Sequence, residues 1–319
     1  MDALHRFVFD GAPVRGLLVR LDDGWRELLA CRAGESAAYP EPVRALLGEM
    51  AAAGVLMRSS IKFDGRLVLQ MHGDGPVSLA VAEVHGDLRF RATASVEGRV
   101  DAGAGLAELL DARGHGRCAI TLEPLQRQAG QQPYQGVVPL HGDRREPLRR
   151  LSQVLEHYML QSEQLDTRMV LAADDRCAAG LLLQRLPAAG PARPSGERPE
   201  DQIGLNEDFN RIARLAATLT RDELLNLDAD TLLRRLFWEE RVVRFAARQP
   251  RFACSCSRER VRNMLLGLGS TEVEGIVAER GEVEVGCEFC GRQYRFDAVD
   301  VGSMFTPPRD QPGIDATLQ

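Results

Sequence analysis

The sequence predicts an α+β fold in which an N-terminal α+β core is followed by a helical linker and a small C-terminal domain. Short β-rich runs alternate with two helical stretches in residues 1–186, a proline-rich run follows, and two cysteine pairs lie near the C-terminus. At 319 residues the chain is longer than one typical domain of about 100 to 200 residues. We therefore expect a core at 1–186, a linker at 187–250, a C-terminal domain at 251–302 and a disordered tail at 303–319.

The composition is typical of a globular protein, with 44% hydrophobic and 27% charged residues. No apolar run approaches the roughly 18 residues that a membrane helix needs, so we expect no membrane partner. The N-terminus lacks a basic stretch followed by an apolar segment, which predicts a cytoplasmic location. A net charge of −6 argues against binding to nucleic acid or to anionic lipid.

The predicted core mixes strands and helices. Residues 41–54 and 148–161 are expected to form helices, and Leu148, Leu151 and Leu155 give the second one an apolar stripe. The β-rich runs are bounded by Gly, Pro and Asp, as strands usually are. These runs are 7–9, 16–21, 67–71, 77–84, 88–94, 118–122, 137–138 and 169–172.

The predicted linker begins with a segment that cannot build a packed core. Residues 187–199 contain four prolines and two glycines, a composition typical of a mobile connection. An amphipathic helix is then expected over 205–219, and Thr220 to Glu223 matches a capping box that opens a second helix. A third helix is expected from Asp228 to about Ala247.

The C-terminal domain of about 50 residues is marginal for independent folding unless it is cross-linked or holds a metal. Its cysteines follow the pattern Cys254-x-Cys256, thirty intervening residues, then Cys287-x-x-Cys290. Two such pairs, joined by a helical segment, can place four thiolates tetrahedrally around one Zn²⁺. The β-rich runs on either side of Cys287 and Cys290 predict a hairpin that carries the second pair at its tip. The other three cysteines, Cys31, Cys118 and Cys177, are interpreted as buried small hydrophobic residues.

Two alternative functions remain open from the residues alone. A thiol-disulfide oxidoreductase would place Cys-x-x-Cys at a helix N-terminus, whereas the residues after Gly291 favour a strand. A zinc ribbon that binds nucleic acid would need a basic face, but residues 251–302 hold seven Arg against nine Asp and Glu. No nearby Ser/His/Asp or paired-carboxylate arrangement demands a catalytic role, so we expect that the protein is not an enzyme.

The cysteine segments and several core segments resemble the 33 kDa heat-shock chaperone family, the redox-regulated holdases of the bacterial cytosol. The resemblance covers almost the whole chain except the proline-rich segment and the tail. The residues that carry it are Phe252-Ala253-Cys254-Ser255-Cys256, Cys287-Glu288-Phe289-Cys290-Gly291, Gln293-Tyr294-Arg295-Phe296, Lys62-Phe63-Asp64-Gly65, Gly73-Asp74-Gly75-Pro76, Tyr134-Gln135-Gly136-Val137-Val138, Ser162-Glu163-Gln164-Leu165 and Leu182-Leu183-Gln184.

The resemblance implies a substrate-binding core, a metastable linker and a zinc-binding redox switch. It implies that Cys254, Cys256, Cys287 and Cys290 hold one Zn²⁺ per chain in the reduced form. Oxidation would then form the disulfides Cys254–Cys256 and Cys287–Cys290 and release the zinc. The linker would unfold, and the protein, often as a homodimer, would hold unfolding client proteins without ATP.

Overall fold

The structure is a computed structural model that describes residues 1–31, 38–126, 132–186 and 206–306. It separates into two units, Met1–Ala253 and Cys254–Gln319. The proline-rich segment predicted at 187–199 and the part of the predicted tail beyond residue 306 lie outside the described residues. Within the described ranges, no helix is both long and apolar enough to cross a bilayer.

The first unit contains eleven strands and seven helices in its described residues. The strands are β1 (Ala3–Phe9), β2 (Val14–Leu21), β3 (Gly65–His72), β4 (Val77–Val84), β5 (Arg89–Val96), β6 (Arg117–Pro124), β7 (Tyr134–Pro139), β8 (Thr167–Ala173), β9 (Ala178–Arg185), β10 (Val242–Arg244) and β11 (Arg251–Phe252). The helices are α1 (Asp23–Ala30), α2 (Glu41–Ser60), α3 (Leu106–Leu110), α4 (Leu151–Glu163), α5 (Glu207–Ala216), α6 (Arg221–Asn226) and α7 (Ala229–Leu236).

The strands of this unit form two sheets. The first has the order β10-β1-β2-β9-β8 and is antiparallel throughout. The second has the order β11-β5-β4-β3-β6-β7, and only the short β11 runs parallel to its neighbour β5. The predicted α+β class is confirmed, and the strand runs expected between residues 7 and 172 fall within strands of these sheets, except that β5 begins at Arg89 rather than at Leu88.

Helix α2 contacts strands of both sheets and forms the centre of the core. Its sequence combines large apolar residues with the small run Ala51-Ala52-Ala53-Gly54, so the backbone can approach the strands closely. The approach is so close at Gly48 that a Cβ on this residue would lie 2.4 Å from the Cβ of Ala173 on β8. The helix extends to Ser60, six residues beyond the predicted end, since Val55, Leu56 and Met57 continue its buried face.

The opposite face of the first sheet is covered by α5, α6 and α7, which we call the linker helices. Alternate residues of the strands, among them Phe7, Phe9, Leu181 and Leu183, form one apolar cluster with side chains of these helices. Because α2 lies on one face of β9 and the linker helices on the other, nearly every residue of β9 is buried. The predicted apolar stripes of the linker therefore pack on the core sheet.

The predicted third linker helix is wrong in its C-terminal half. Helix α7 ends at Leu236, and the chain returns as β10, which pairs with β1. The ring of Phe237 packs edge-on against Phe9 at 5.0 Å between centroids, which holds the end of the helix on the sheet. The β-branched pair Val242 and Val243 then completes the otherwise unpaired edge of β1.

Helix α1, which the sequence patterns did not predict, is capped by a side chain from far away in the chain. The buried carboxylate of Asp2 accepts hydrogen bonds from the backbone N–H groups of Asp22, Asp23 and Gly24 at 2.7, 2.8 and 2.9 Å. It thereby satisfies donors at the helix start that have no partner within the helix.

The second unit contains α8 (Arg258–Leu268), α9 (Ser270–Arg280), β12 (Val283–Gly286), β13 (Gln293–Phe296) and α10 (Ala298–Phe305). Strands β12 and β13 form the predicted hairpin. The core of the unit is small, and its buried members are Leu265, Val273, Val283, Tyr294, Phe296, Val301 and Met304.

Two boundaries differ from those expected for the C-terminal domain. Arg251 and Phe252 form β11 in the second sheet of the first unit, where the Phe252 ring contacts Phe90 at 6.4 Å between centroids. At the other end, α10 continues to Phe305, three residues into the segment expected to be a disordered tail. The helix persists there because Met304 is buried in the core of the second unit.

Candidate metal centre

The first cysteine pair lies in an extended segment just before α8. Ser257 begins the helix, and its hydroxyl oxygen accepts the backbone N–H of Arg260 at 3.1 Å. Arg258 then holds the start of α8 on the hairpin, because its guanidinium donates to the carbonyl of Arg295 at 2.7 Å and lies 4.2 Å from the Phe296 ring centroid. These contacts fix the position of Cys256 relative to β13.

The second cysteine pair lies in the turn between β12 and β13. The N–H of Cys287 donates to the carbonyl of Arg292 at 3.0 Å, and the N–H of Gly291 donates to the carbonyl of Cys287 at 2.7 Å. Gly291 has φ +66°, a left-handed conformation that glycine adopts without strain. The turn therefore folds the backbone back on itself and points both thiols to one side.

The four thiols converge on one point. Their sulfur atoms all lie within 4.8 Å of one another, and all four side chains are half-buried. The Sγ atoms of Cys254 and Cys287 are 3.6 Å apart, and those of Cys256 and Cys290 are 3.4 Å apart. Four sulfurs at about 2.3 Å from a tetrahedral Zn²⁺ lie about 3.8 Å from one another, so the cluster has the size and the donor atoms of a zinc tetrathiolate site. The four cysteines are positioned to bind a metal ion.

The thiols of the cluster ionise unequally when no metal is bound. Partial burial disfavours the thiolate of Cys256, but hydrogen bonds from Tyr294 and from the neighbouring thiols outweigh burial and lower its pKa to about 7. Burial raises the pKa of Cys290, and the nearby thiols Cys256 and Cys254 raise it further. Burial also raises the pKa of Cys287, although the backbone N–H groups of Cys290 and Phe289 lower it in part. In the metal-free cluster, Cys256 therefore becomes a thiolate near neutral pH more readily than Cys287 or Cys290 does.

Tyr294 also belongs to the site, although the cysteine motif does not contain it. It is buried on β13, and its hydroxyl donates a hydrogen bond to the Sγ of Cys256 at 3.1 Å. Two features of the sequence could have identified it. Tyr294 and Phe296 alternate with exposed residues, so both side chains point into the unit, and a buried tyrosine hydroxyl needs a hydrogen-bond partner.

The other three cysteines lie outside this cluster. Cys118 and Cys177 are buried, as the sequence predicts, and burial raises the pKa of each thiol to about 12. Cys31 is only half-buried, so the prediction of a buried residue is wrong there. Thiols with so high a pKa form little thiolate at neutral pH, so Cys118 and Cys177 are poor ligands and poor nucleophiles.

The arrangement does not match a thioredoxin-like redox site. Cys287 and Cys290 lie in a hairpin turn, whereas a thioredoxin-like pair lies at the N-terminus of a helix. Both thiols also lie within reach of Cys254 and Cys256.

The fold and site define a two-unit α+β protein whose small C-terminal unit carries four cysteines positioned to bind a metal ion. Comparison with known families matches residues 2–297 to the model described as Hsp33 protein. Among curated relatives, the 33 kDa chaperonin of Chromobacterium violaceum is 46% identical, with 95% of this chain and 94% of the relative covered. The 33 kDa chaperonin of Methylobacillus flagellatus is 41% identical over 98% of both chains.

A solved structure, described as the 33 kDa chaperonin (heat shock protein 33 homolog) of Thermotoga maritima, has a similar fold. Its TM-score is 0.72 at 20% identity, with 95% of this chain and 98% of that chain covered. The chain therefore belongs to the Hsp33 family of chaperones, as the resemblance of its cysteine and core segments implied.

Proposed function

We propose that this protein is a redox-regulated, ATP-independent holdase whose reduced form carries one Zn²⁺ on Cys254, Cys256, Cys287 and Cys290. The observation that carries the proposal is the convergence of these four thiols, from two distant parts of the chain, within 4.8 Å. When bound, Zn²⁺ would cross-link the segment before α8 to the β12–β13 turn. Structural zinc contributes roughly 10 to 16 kcal/mol of apparent binding energy in small peptides, which is large compared with what a core of seven buried side chains supplies.

Oxidation by peroxide or hypochlorite would convert the thiolates to disulfides. Each disulfide consumes two thiolates, one hydrogen peroxide and two protons and yields two water molecules. The pairs we propose are Cys254 with Cys256 and Cys287 with Cys290. In the folded unit the short sulfur distances instead join Cys254 to Cys287 and Cys256 to Cys290. The proposed pairing therefore needs a change of sulfur partners. The Cys254–Cys256 disulfide also needs extended or turn geometry, which fits an oxidised product that has lost its fold.

The linker helices would supply the regulated surface. They are short, of ten, six and eight residues, and such helices depend on tertiary packing rather than on their own stability. Their release would expose the strand residues that they cover, including Phe7, Phe9 and Leu181. Exposed apolar patches of this kind bind other apolar segments, so we propose unfolding client proteins as the partners.

The remaining parts of the proposal concern location and assembly. We propose a cytoplasmic protein that forms a homodimer when oxidised and binds neither membranes nor nucleic acid. The acidic net charge of −6 supports the last point.

The test measures zinc content, free thiols and suppression of client aggregation on one sample before and after peroxide at raised temperature. We expect one zinc lost, four thiols consumed and holdase activity gained, with peptide mapping that finds Cys254–Cys256 and Cys287–Cys290 disulfides. Cys287→Ser should lose zinc and redox control of activity. Cys118→Ser, which removes a thiol outside the cluster, should behave as the wild type. Retention of zinc, together with activity that peroxide does not change, would contradict the proposal.

A further inference from the structure

The hydrogen bond between Tyr294 and Cys256 joins the two halves of the cysteine cluster. Cys256 precedes α8, and Tyr294 lies on β13 beyond the second cysteine pair. The tyrosine hydroxyl donates to the Cys256 sulfur at 3.1 Å. Arg258 also joins the start of α8 to β13, but its contact is with a backbone carbonyl, whereas the Tyr294 contact is with a cysteine sulfur of the cluster.

The position of the hydroxyl is set by the surrounding structure. Tyr294 pairs with Val285 in the β12–β13 ladder, and the residue is only 7% exposed within the core of the unit. The ladder and the packed ring therefore hold the hydroxyl against the Cys256 sulfur.

The hydrogen bond that Cys256 accepts comes from a side chain. The Cys256 sulfur accepts from a side-chain hydroxyl, which a single substitution removes without a change in the backbone.

We propose that Tyr294 is a positioning residue that restrains the oxidation of Cys256, by holding its sulfur and withdrawing electron density from it. The inference rests on the proposed redox function of the cluster. The step concerned is attack of the Cys256 sulfur on one oxygen of hydrogen peroxide. The O–O bond breaks, a sulfenic acid forms, and the departing hydroxide takes a proton to become water. A second thiolate then displaces hydroxide from the sulfenic sulfur and forms the S–S bond. When a metal holds the sulfur as a thiolate, the hydrogen bond no longer affects how much thiolate forms. It then only engages the lone pair that attacks, so it slows the first step.

Tyr294→Phe tests the role of the hydroxyl because it keeps the buried ring. The first measurement uses Co²⁺ in place of Zn²⁺ and records the sulfur-to-cobalt charge-transfer absorption. A hydrogen bond lowers the energy of the sulfur lone pair, so its loss should shift this absorption to longer wavelength. The shift reports the electronic state of the sulfur and does not depend on activity.

The second measurement is the rate of the reaction with hydrogen peroxide. With zinc-loaded protein, in which the metal would hold the sulfurs as thiolates, we expect Tyr294→Phe to react about fivefold faster than the wild type, which corresponds to about 1 kcal/mol in the barrier. Dimedone added at early times traps sulfenic acid, and mass spectrometry should find a larger share of the trapped label on Cys256 in the variant.

Val283→Ala is the matched control for a loss of packing. Val283 is a buried member of the same core, and its truncation should destabilise the unit without removing a sulfur donor. This variant should release metal more easily to a chelator but keep the charge-transfer absorption of the wild type.

An absorption unchanged in Tyr294→Phe, with a peroxide rate within twofold of the wild type, would overturn the inference and leave the metal site intact. Absence of any charge-transfer absorption in the wild type with Co²⁺ would instead mean that the cluster binds no metal, and the proposed function would fail with it. The two failures are therefore distinguishable.

Discussion

Glu49 on α2 is a half-buried carboxylate whose ionisation the fold opposes. Burial raises its pKa to about 7, although Arg221 at the start of α6 and Arg150 favour the charged form. The unfolded chain ionises near the ordinary value of 4.5, so the folded protein binds one more proton between about pH 4.5 and 7. The free energy of unfolding therefore falls as pH rises through this range, and the full penalty is present above about pH 7.

Glu49→Gln should remove this penalty. We expect the variant to be more stable than the wild type by about 2 kcal/mol at pH 8, and nearly equal to it at pH 4.5, where the folded carboxyl is already neutral. Urea unfolding, followed through the fluorescence of the buried Trp25, measures both values. Glu41→Gln, at an exposed position of the same helix, is the control and should change little at either pH. An equal gain at both pH values would show that the ionisation of Glu49 is not the cause.

Single residues also show where prediction from the sequence reaches its limit. The four cysteines were identified because their types and spacing alone indicate a metal site. The contact of Tyr294 with Cys256 spans 38 residues, and the contacts of Asp2 with α1 span about 20. No local pattern encodes such contacts, because they depend on how the intervening chain folds.

At the scale of elements, the linker helices are held by caps that the sequence displays. Thr220 and Glu223 form the predicted capping box of α6, in which the Thr220 hydroxyl oxygen accepts the N–H of Glu223 at 3.3 Å and the Glu223 carboxylate accepts the N–H of Thr220 at 3.0 Å. The helix places Leu224 and Leu225 on the first sheet. The guanidinium of Arg20 on β2 donates to the carbonyl of Leu225 at 2.6 Å, which ties the end of the helix to the core.

Thr220→Ala should loosen α6 without a change in the cysteine cluster. Loss of an N-cap costs a helix about 1 kcal/mol, so amide hydrogen exchange across 221–226 should become about fivefold faster in the reduced protein. Thr220→Ser keeps the hydroxyl and is the matched control, with exchange close to that of the wild type. If the alanine variant exchanged no faster than the serine variant, the cap would not contribute to holding this helix in place.

The sequence patterns did not predict the strands that form only because a distant part of the chain pairs with them. Residues 237–247 carry apolar residues at helical spacing, yet Val242 to Arg244 form a strand because β1 offers an unpaired edge. Residues 251–252 are too short to be recognised as a strand, and they become one through β5. Helices with a clear apolar stripe or a clear cap, such as α4 and α6 respectively, were predicted because these signals are local.

For the whole molecule, the division into two units predicts separate responses to metal removal. A chelator added to the reduced protein should unfold the second unit, whose small core we expect to depend on zinc, and leave the two sheets of the first unit folded. Calorimetry should then show loss of one transition while the transition of the larger unit keeps its midpoint. Cys177→Ser, which leaves the cluster intact, should show the same two responses. If both units unfolded together on chelation, they would not be independent in stability.

The overall architecture was predictable in class but not in topology. Alternating helical and strand patterns indicated an α+β core, whereas the placement of α2 between two sheets results from pairings between strands far apart in sequence. The paired cysteine spacing, by contrast, needs no knowledge of topology to be recognised.

The path of the chain around the linker helices has a further consequence for recovery after stress. The segment that carries them leaves the core at the end of β9 and rejoins it through β10, whose ladder to β1 is extended by the hydrogen bonds between Leu4 and Arg248. While these attachments hold, a linker released in the way that we propose would be a closed loop whose ends cannot diffuse away. It meets its own docking surface at an effective concentration on the order of millimolar, whatever the concentration of protein. Redocking is then a first-order process within one chain, in competition with any client that occupies the same strands.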